Sequence, residues 1–298
     1  MSQVRYGGQA VIEGVMMRGP SKVAVAVRMP DGSVHLKVED HVPLAARFRL
    51  AGLPVVRGAV ALYESLVLGV RALLYSAEVT SMGEMTKGEG MLAVVLAFLV
   101  ALALFMVLPT LLVSLLMRFL GTRSLAMNLL EGAVRLAVLL VYVYAISRMK
   151  DIQRVLEYHG AEHKAVHVQE AGLALTLENA RDFSTMHPRC GTSFLLFTVI
   201  VSVLVFSLFG WPNLVMRVAM RLALLPLIAG VSYEGIRLAG NSNNPLVKLL
   251  SWPGMLLQKL TTREPDDLQL MVALQALEAV KVPDQGSNQA GGSKCKSC

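Results

Sequence analysis

MLAVVLAFLVALALFMVLPTLLVSLLM, Met91 to Met117, carries no charged side chain and is longer than the roughly 20 residues a helix needs to cross a bilayer. Backbone groups in hydrocarbon find no water, so a helix that satisfies its own hydrogen bonds is the form such a run dictates. Pro109 interrupts it: proline lacks the N–H and its ring crowds the preceding turn, which predicts a kink. The rest of the chain has the same character. Its 298 residues are 54% hydrophobic and only 16% charged, too apolar for a water-soluble enzyme of this length.

Further spans are expected on either side of a polar connection. One lies within Leu125 to Ile146, marked by AVRLAVLLVYVYAI, with Arg135 as its awkward charge. FLLFTVIVSVLVFSLF, Phe194 to Phe209, begins the next, and WPN turns the chain into the last, from Leu214 to about Val231. Arg217 and Arg221 lie one turn apart near the start of that last span and are expected to snorkel to the headgroups rather than hold an anion inside. PVVRGAVALYESLVLGVRALLYSAE is apolar as well, but Arg57, Glu64, Arg71 and Glu78 recur every seven residues on one stripe. An interfacial helix, or one that packs this stripe against the soluble part, is expected there rather than a span.

The first 50 residues are not membrane-like. SKVAVAVRMPDGSVHLKVED alternates Val23, Val25 and Val27, then Val34, Leu36 and Val38, around a Pro30-Asp31-Gly32 turn, the pattern of a hairpin with one buried face. The expected fold class is therefore an integral membrane α-helical protein of about four spans with a small β-rich cytoplasmic N-terminal domain. Its parts are a β-rich unit over 1–50, an amphipathic helix over 51–88, two spans over 89–146 and a histidine-rich cytoplasmic segment over 147–193. A transmembrane hairpin over 194–231, amphipathic and soluble helices over 232–282 and a disordered tail over 283–298 complete it.

Orientation follows from the basic residues. Lys87, Arg148, Lys150, Arg154, Arg181, Arg189, Arg237 and Lys248 fall on one side and Arg118 and Arg123 on the other, which places both termini in the cytoplasm. The net charge of +7 thus sets topology in the bilayer; with only 6% aromatic residues and no basic run interleaved with them, nucleic acid is not an expected partner. The opening stretch has no basic segment followed by an apolar core, so no cleaved secretory signal is expected. Cys190 stands alone and Cys295 and Cys298 form a terminal CKSC, which fits a reducing compartment and supplies at most half a structural metal site.

The chemistry concentrates in EYHGAEHKAVHVQE, Glu157 to Glu170. At 100° per residue, His159, His163, His167 and Glu170 share one sector of a helix, with Glu162 on its shoulder. His159, Glu162 and His163 spell His-x-x-Glu-His, in which imidazoles one turn apart grip a divalent cation such as zinc and the glutamate between them serves the open coordination position. A third ligand is required, and STMHPRCGTSF offers His187 and Cys190, with Glu170 and Glu13 as remaining candidates. The bland reading is a solvated helix face whose histidines need no metal. GGQAVIEGVMMRGP contributes Gly7, Gly8, Glu13, Arg18 and Gly19, read either as tight turns at a sheet edge or as a route for Glu13 to the metal.

Taken in order, GGQAVIEGVMMRGP, PVVRGAVALYESLVLG, YHGAEHKAVHVQE and HPRCGTSF resemble the YqhQ-like family of bacterial membrane proteins, a group described as candidate metal-dependent enzymes. The resemblance covers nearly all of the chain except the tail. It implies a multi-span protein of the bacterial cytoplasmic membrane, with the histidine motif on His159, Glu162 and His163 and the following motif on His187, Arg189 and Cys190. The expected activity is hydrolysis at the cytoplasmic face of the membrane, on a membrane-proximal peptide or a lipid-linked substrate. Glu162 would act as general base and Arg189 as an oxyanion or phosphate contact. The alternative is a metal-binding scaffold or transport component that recruits a soluble protein, and a homo-oligomer is compatible with either.

Overall fold

The computed structural model describes residues 6–81, 86–120, 124–210, 212–241 and 245–282. The expected disordered tail and its CKSC pair lie outside them. Four strands come first: β1 (Gly7–Val11), β2 (Gly14–Arg18), β3 (Lys22–Arg28) and β4 (Val34–Asp40). A short α1 (Leu44–Arg47) and a 3-10 turn (Arg49–Gly52) lead into α2 (Val56–Thr80). The helices α3 (Lys87–Leu102), α4 (Leu108–Leu120) and α5 (Ser124–Ile146) follow, and then the histidine-bearing α6 (Lys150–Glu170) and the short α7 (Leu177–Arg181). The chain closes with α8 (Gly191–Ser207), α9 (Leu214–Asn241), α10 (Pro245–Thr261) and α11 (Asp267–Val280).

The strands form an antiparallel meander in the order β1-β2-β3-β4. The predicted hairpin is β3–β4, with Val27 opposite His35 and Val23 opposite Glu39, turned at Gly32 with φ +85°. Its burial differs from the alternating expectation. Val23, Val25 and Val27 pack with Leu68, Ala72, Tyr75 and Val79 of α2, while Ala24 and Ala26 of the same strand pack with α6 and α11. Both faces of β3 are therefore covered, and Leu36 and Val38 of β4 remain exposed. A strand covered on both sides has no wet face to alternate against. The sheet's larger core is completed by Tyr158, Ala161 and Ala165 of α6 and by Leu270, Val272, Ala273, Leu274 and Leu277 of α11, contributed from the far end of the chain.

Among the described residues, four helices are long and apolar enough to cross a membrane: Val56–Thr80, Gly88–Leu116, Ala126–Ile146 and Val215–Leu238. The set differs from the expected one. Val56–Thr80, expected at the interface, meets the length and composition, whereas Gly191–Ser207 is the shorter apolar helix. At 1.5 Å per residue α8 reaches only about 25 Å. The charged stripe of α2 does partly dock on the soluble part, since Glu64 is buried, accepts from Leu44 N–H at 2.8 Å and pairs with Arg18 of β2. Nearer its start, α2 meets α9 through Arg57, which grips Glu234 with both oxygens. Along α3 the side chains of Leu92, Val95, Leu96, Phe98, Leu99 and Val100 are exposed, an apolar surface in keeping with a helix long enough to cross a membrane.

The kink predicted at Pro109 takes the form of a π-helical turn over Ala103–Val107. Phe105 lies four residues before the proline, which has no N–H to give its carbonyl, and that carbonyl accepts instead from Arg135 Nε at 3.1 Å. Arg135 also reaches Ser202 Oγ (3.0 Å) and Glu131 (3.0 Å). Snorkelling does not describe Arg217 and Arg221: both are buried, and Arg221 bonds Glu131 Oε2 at 2.5 Å with its guanidinium 5.0 Å from the Phe206 ring. Glu131, unremarked in the sequence, holds α4, α5 and α9 together through Thr110, Arg135 and Arg221. An ion removed from such a cluster leaves its partners uncompensated, so Glu131→Leu should cost about 3–5 kcal/mol, read as an earlier unfolding midpoint in detergent.

Glu13 lies on the other side of the molecule's chemistry. Burial pushes its carboxyl up, but Arg154 and Arg28 outweigh this and hold it below the usual carboxylate range. Its folded pKa is thus depressed, so its stabilisation is complete above the unfolded value and lost as pH falls through the folded one. Arg154→Met should accordingly lower the melting temperature at pH 7 and lower it progressively less as the pH falls through the folded carboxyl's pKa; a loss that does not change with pH would refute the pairing.

Candidate metal centre

Helix α6 is polar in sequence yet almost surrounded. Tyr158, Gly160 to Val166 and Val168 are buried, so the histidine stripe is not a solvated face. Gly160 explains how the neighbours come so close: a side chain there would run into the backbone carbonyl of Arg263, just beyond the end of α10. That approach brings the carbonyl of Thr261 to 2.7 Å from His159 Nδ1. One turn on, His163 Nδ1 lies 2.5 Å from the carbonyl of Thr185, and His167 Nε2 lies 3.0 Å from that of Met186. A carbonyl only accepts, so each contact places the ring proton on that nitrogen and leaves the opposite nitrogen with a lone pair.

For His159 and His163 the free nitrogen is Nε2. Cys190 Sγ stands 3.4 Å from His159 Nε2, and the three donor atoms of His159, His163 and Cys190 lie within 4.8 Å of one another. Cys190 is placed there as the N-cap of α8, where its sulfur accepts from Thr192 N–H. Glu162 sits beside them with Oε2 3.5 Å from His163 Nε2, 5% exposed. The room for its side chain comes from β1, because a Cβ on Gly8 would meet Glu162 Cγ at 2.9 Å. Two imidazole lone pairs and a thiol fit a divalent cation of borderline softness.

A second group, His167, Glu170 and His187, is equally compact. Its chemistry is different. His187 Nδ1 accepts from Arg189 N–H at 3.2 Å, which puts the ring proton on Nε2, 3.3 Å from Glu170 Oε2. Glu170 is also ion-paired with the Arg189 guanidinium. Burial raises the Glu170 carboxyl, but His187, Arg189 and His167 together hold it below the ordinary value, while burial is the main cause keeping His167 below its own. With a cation already on its carboxylate and a proton where a lone pair would be needed, this group favours a hydrogen-bonded relay over a second ion. His187, expected as a ligand, lies in this second group with Glu170 and His167 rather than in the group of His159, His163 and Cys190.

A cavity of about 190 Å3 joins these parts, lined by His159, Glu162, His163, His187, Arg189 and Cys190, and closed on one side by Tyr6, Gly7 and Gly8 of the first strand. Glu13 does not reach it, being committed to Arg154 and Arg28. Gln258 of α10 is a further residue of the site that sequence reasoning missed. Fully buried, it clamps the backbone of His187, donating to its carbonyl (2.9 Å) and accepting its N–H (2.8 Å). No spacing or motif marks it. The carbonyls of Thr185, Met186 and Thr261 are likewise invisible in a sequence, since every residue has one.

The family described as "Protein of unknown function (DUF1385)" matches residues 53–282. The chain is 37% identical over 293 residues to "Uncharacterized protein YqhQ" of Bacillus subtilis (strain 168), covering 91% of this chain and 90% of that relative. No solved structure matches it. Matched along most of its length in both comparisons, the chain belongs to the DUF1385 family of YqhQ-like proteins.

Proposed function

We propose that the protein is a metal-dependent hydrolase of the bacterial cytoplasmic membrane, with zinc held by His159, His163 and Cys190 on the cytoplasmic side. The observation that carries this reading is the pairing of two carbonyl-fixed imidazoles with a thiol, beside the buried Glu162 carboxylate 3.5 Å from His163 Nε2. When bound, the ion supplies a Lewis acid strong enough to polarise a carbonyl and to bring water within reach of ionisation near neutral pH.

The remaining work falls to the chain. Glu162 takes the proton from the attacking water and returns it to the leaving group. His187 accepts from Arg189 N–H at Nδ1 and donates its Nε2 proton to Glu170, and so holds that carboxylate and the Arg189 loop in place beside the cavity. Arg189 lines the same cavity as a fixed positive charge and supports an oxyanion there. The β-strand on one wall and the N-terminus of α8 on another leave the site beside an apolar helix, within reach of a membrane-proximal peptide or a lipid-linked molecule.

A second reading rests on the 3.4 Å contact between Cys190 and His159 at a helix N-terminus, which is also the arrangement of a metal-free thiol nucleophile and its base. Metal analysis separates the two. Alanine at both His159 and His163 should abolish zinc in the purified protein, whereas undiminished zinc refutes the centre. Glu162→Gln should bind zinc like the parent and lose roughly 10²–10⁴-fold in turnover of a labelled peptide or lipid substrate found by screening. Turnover that survives chelation would favour the thiol reading. A closed shell of four protein ligands would favour the metal-binding scaffold.

A further inference from the structure

The metal centre occupies only one side of strand β1. Among the described residues this strand is an edge, paired with β2 alone, so alternate backbone N–H and C=O groups along its other side point away from the sheet. Toward its far end that side is taken up, because the N–H of Ile12 donates to Ser76 Oγ of α2 at 3.2 Å. At the near end Gly7 and Gly8 are exposed. The backbone of Gly7 is bare, since a Cβ built there meets nothing within 4 Å, while one on Gly8 would point inward against Glu162 and Met17.

Two cavities meet at this bare stretch. The centre's cavity of about 190 Å3 lies on the α6 side, and a larger one of about 410 Å3 lies on the α2 side. Tyr6, Gly7 and Gly8 line both, so the two cavities flank the strand's near end. The larger arm is bounded by Gln9 and Arg18 of the sheet and by Leu68 of α2 and Tyr233 of α9, giving a mixed polar and apolar wall. Glu162 approaches the strand where Gly8 makes room, which sets the general base beside the near end of that edge.

We infer that the substrate is an extended polypeptide segment that adds to the free edge of β1 as a further strand, with its scissile amide carried into the cavity of His159, His163 and Cys190. This rests on the hydrolase reading above and names its substrate class. Main-chain hydrogen bonds to a glycine edge recognise any extended peptide, while an acyl chain offers that edge no donors or acceptors. A backbone without side chains at Gly7 and Gly8 lets the incoming strand come into register without displacing anything. The location between α2, α9 and the sheet suits a segment leaving a membrane helix in extended form.

Binding of hydroxamates to the zinc-loaded full chain in lipid nanodiscs tests this. Acetohydroxamate reports the ion alone, a tetrapeptide hydroxamate adds the strand, the same peptide with N-methylated amides removes its donors, and lauroyl hydroxamate replaces it by an acyl chain. The tetrapeptide should bind at least tenfold tighter than acetohydroxamate, N-methylation should erase the gain, and Gly7→Val should reduce it without a clash inside the fold. If acetohydroxamate binds but the tetrapeptide gains nothing, or if only the lauroyl compound gains, the peptide assignment is overturned and the metal centre stands. If acetohydroxamate itself fails to bind, the hydrolase reading falls and the peptide assignment with it.

Discussion

Main-chain carbonyls hold the imidazoles of α6, and the rest of the site depends on that. Thr261 fixes His159, Thr185 fixes His163 and Met186 fixes His167. Burying a polar helix is costly unless each polar group finds a partner, so the helix can lie inside only because three separate stretches of backbone are brought to it. Gly160 permits the closest of these approaches, and Gln258 fastens the loop that carries His187. The same hydrogen bonds that make burial tolerable set the tautomers, and with them which nitrogen can hold an ion.

The soluble body and the apolar helices are not independent. The sheet is roofed on one face by α6 and α11 and on the other by the C-terminal half of α2, whose N-terminal half runs beside α9. Cys190 caps α8, and the last residue of α10 supplies the carbonyl for His159. Chain segments from both sides of every apolar helix thus converge on one cavity. Deeper among those helices, the Glu131 cluster fixes their packing, including the carbonyl that Pro109 leaves without an α-helical partner.

Several of these features were legible beforehand. The uncharged run around Pro109, the β3–β4 hairpin and the four-residue spacing of His159, His163 and His167 each follow from periodicity, which records which way side chains point. What periodicity does not record is the partner. Val23 and Ala24 both turned out buried because α2 covers one face of β3 and α6 with α11 the other, and no local pattern announces helices that far along the chain. Arg221 looked like a residue near a membrane surface until Glu131, hidden one residue before a glycine in an apolar stretch, was found to face it. The ligand types could be read from their identity; the grouping of Cys190 with His159 and His163, and of His187 with His167 and Glu170, could not, because it depends on how the loop after α7 folds back on α6.

X-ray absorption at the zinc edge, on the purified full chain loaded with zinc, addresses the centre most directly because it counts sulfur against nitrogen and oxygen. His159, His163 and Cys190 predict one sulfur at about 2.3 Å and two imidazole nitrogens at about 2.0–2.1 Å, with a light atom completing the shell. A spectrum without sulfur, or one whose sulfur persists in Cys190→Ser, would contradict the centre.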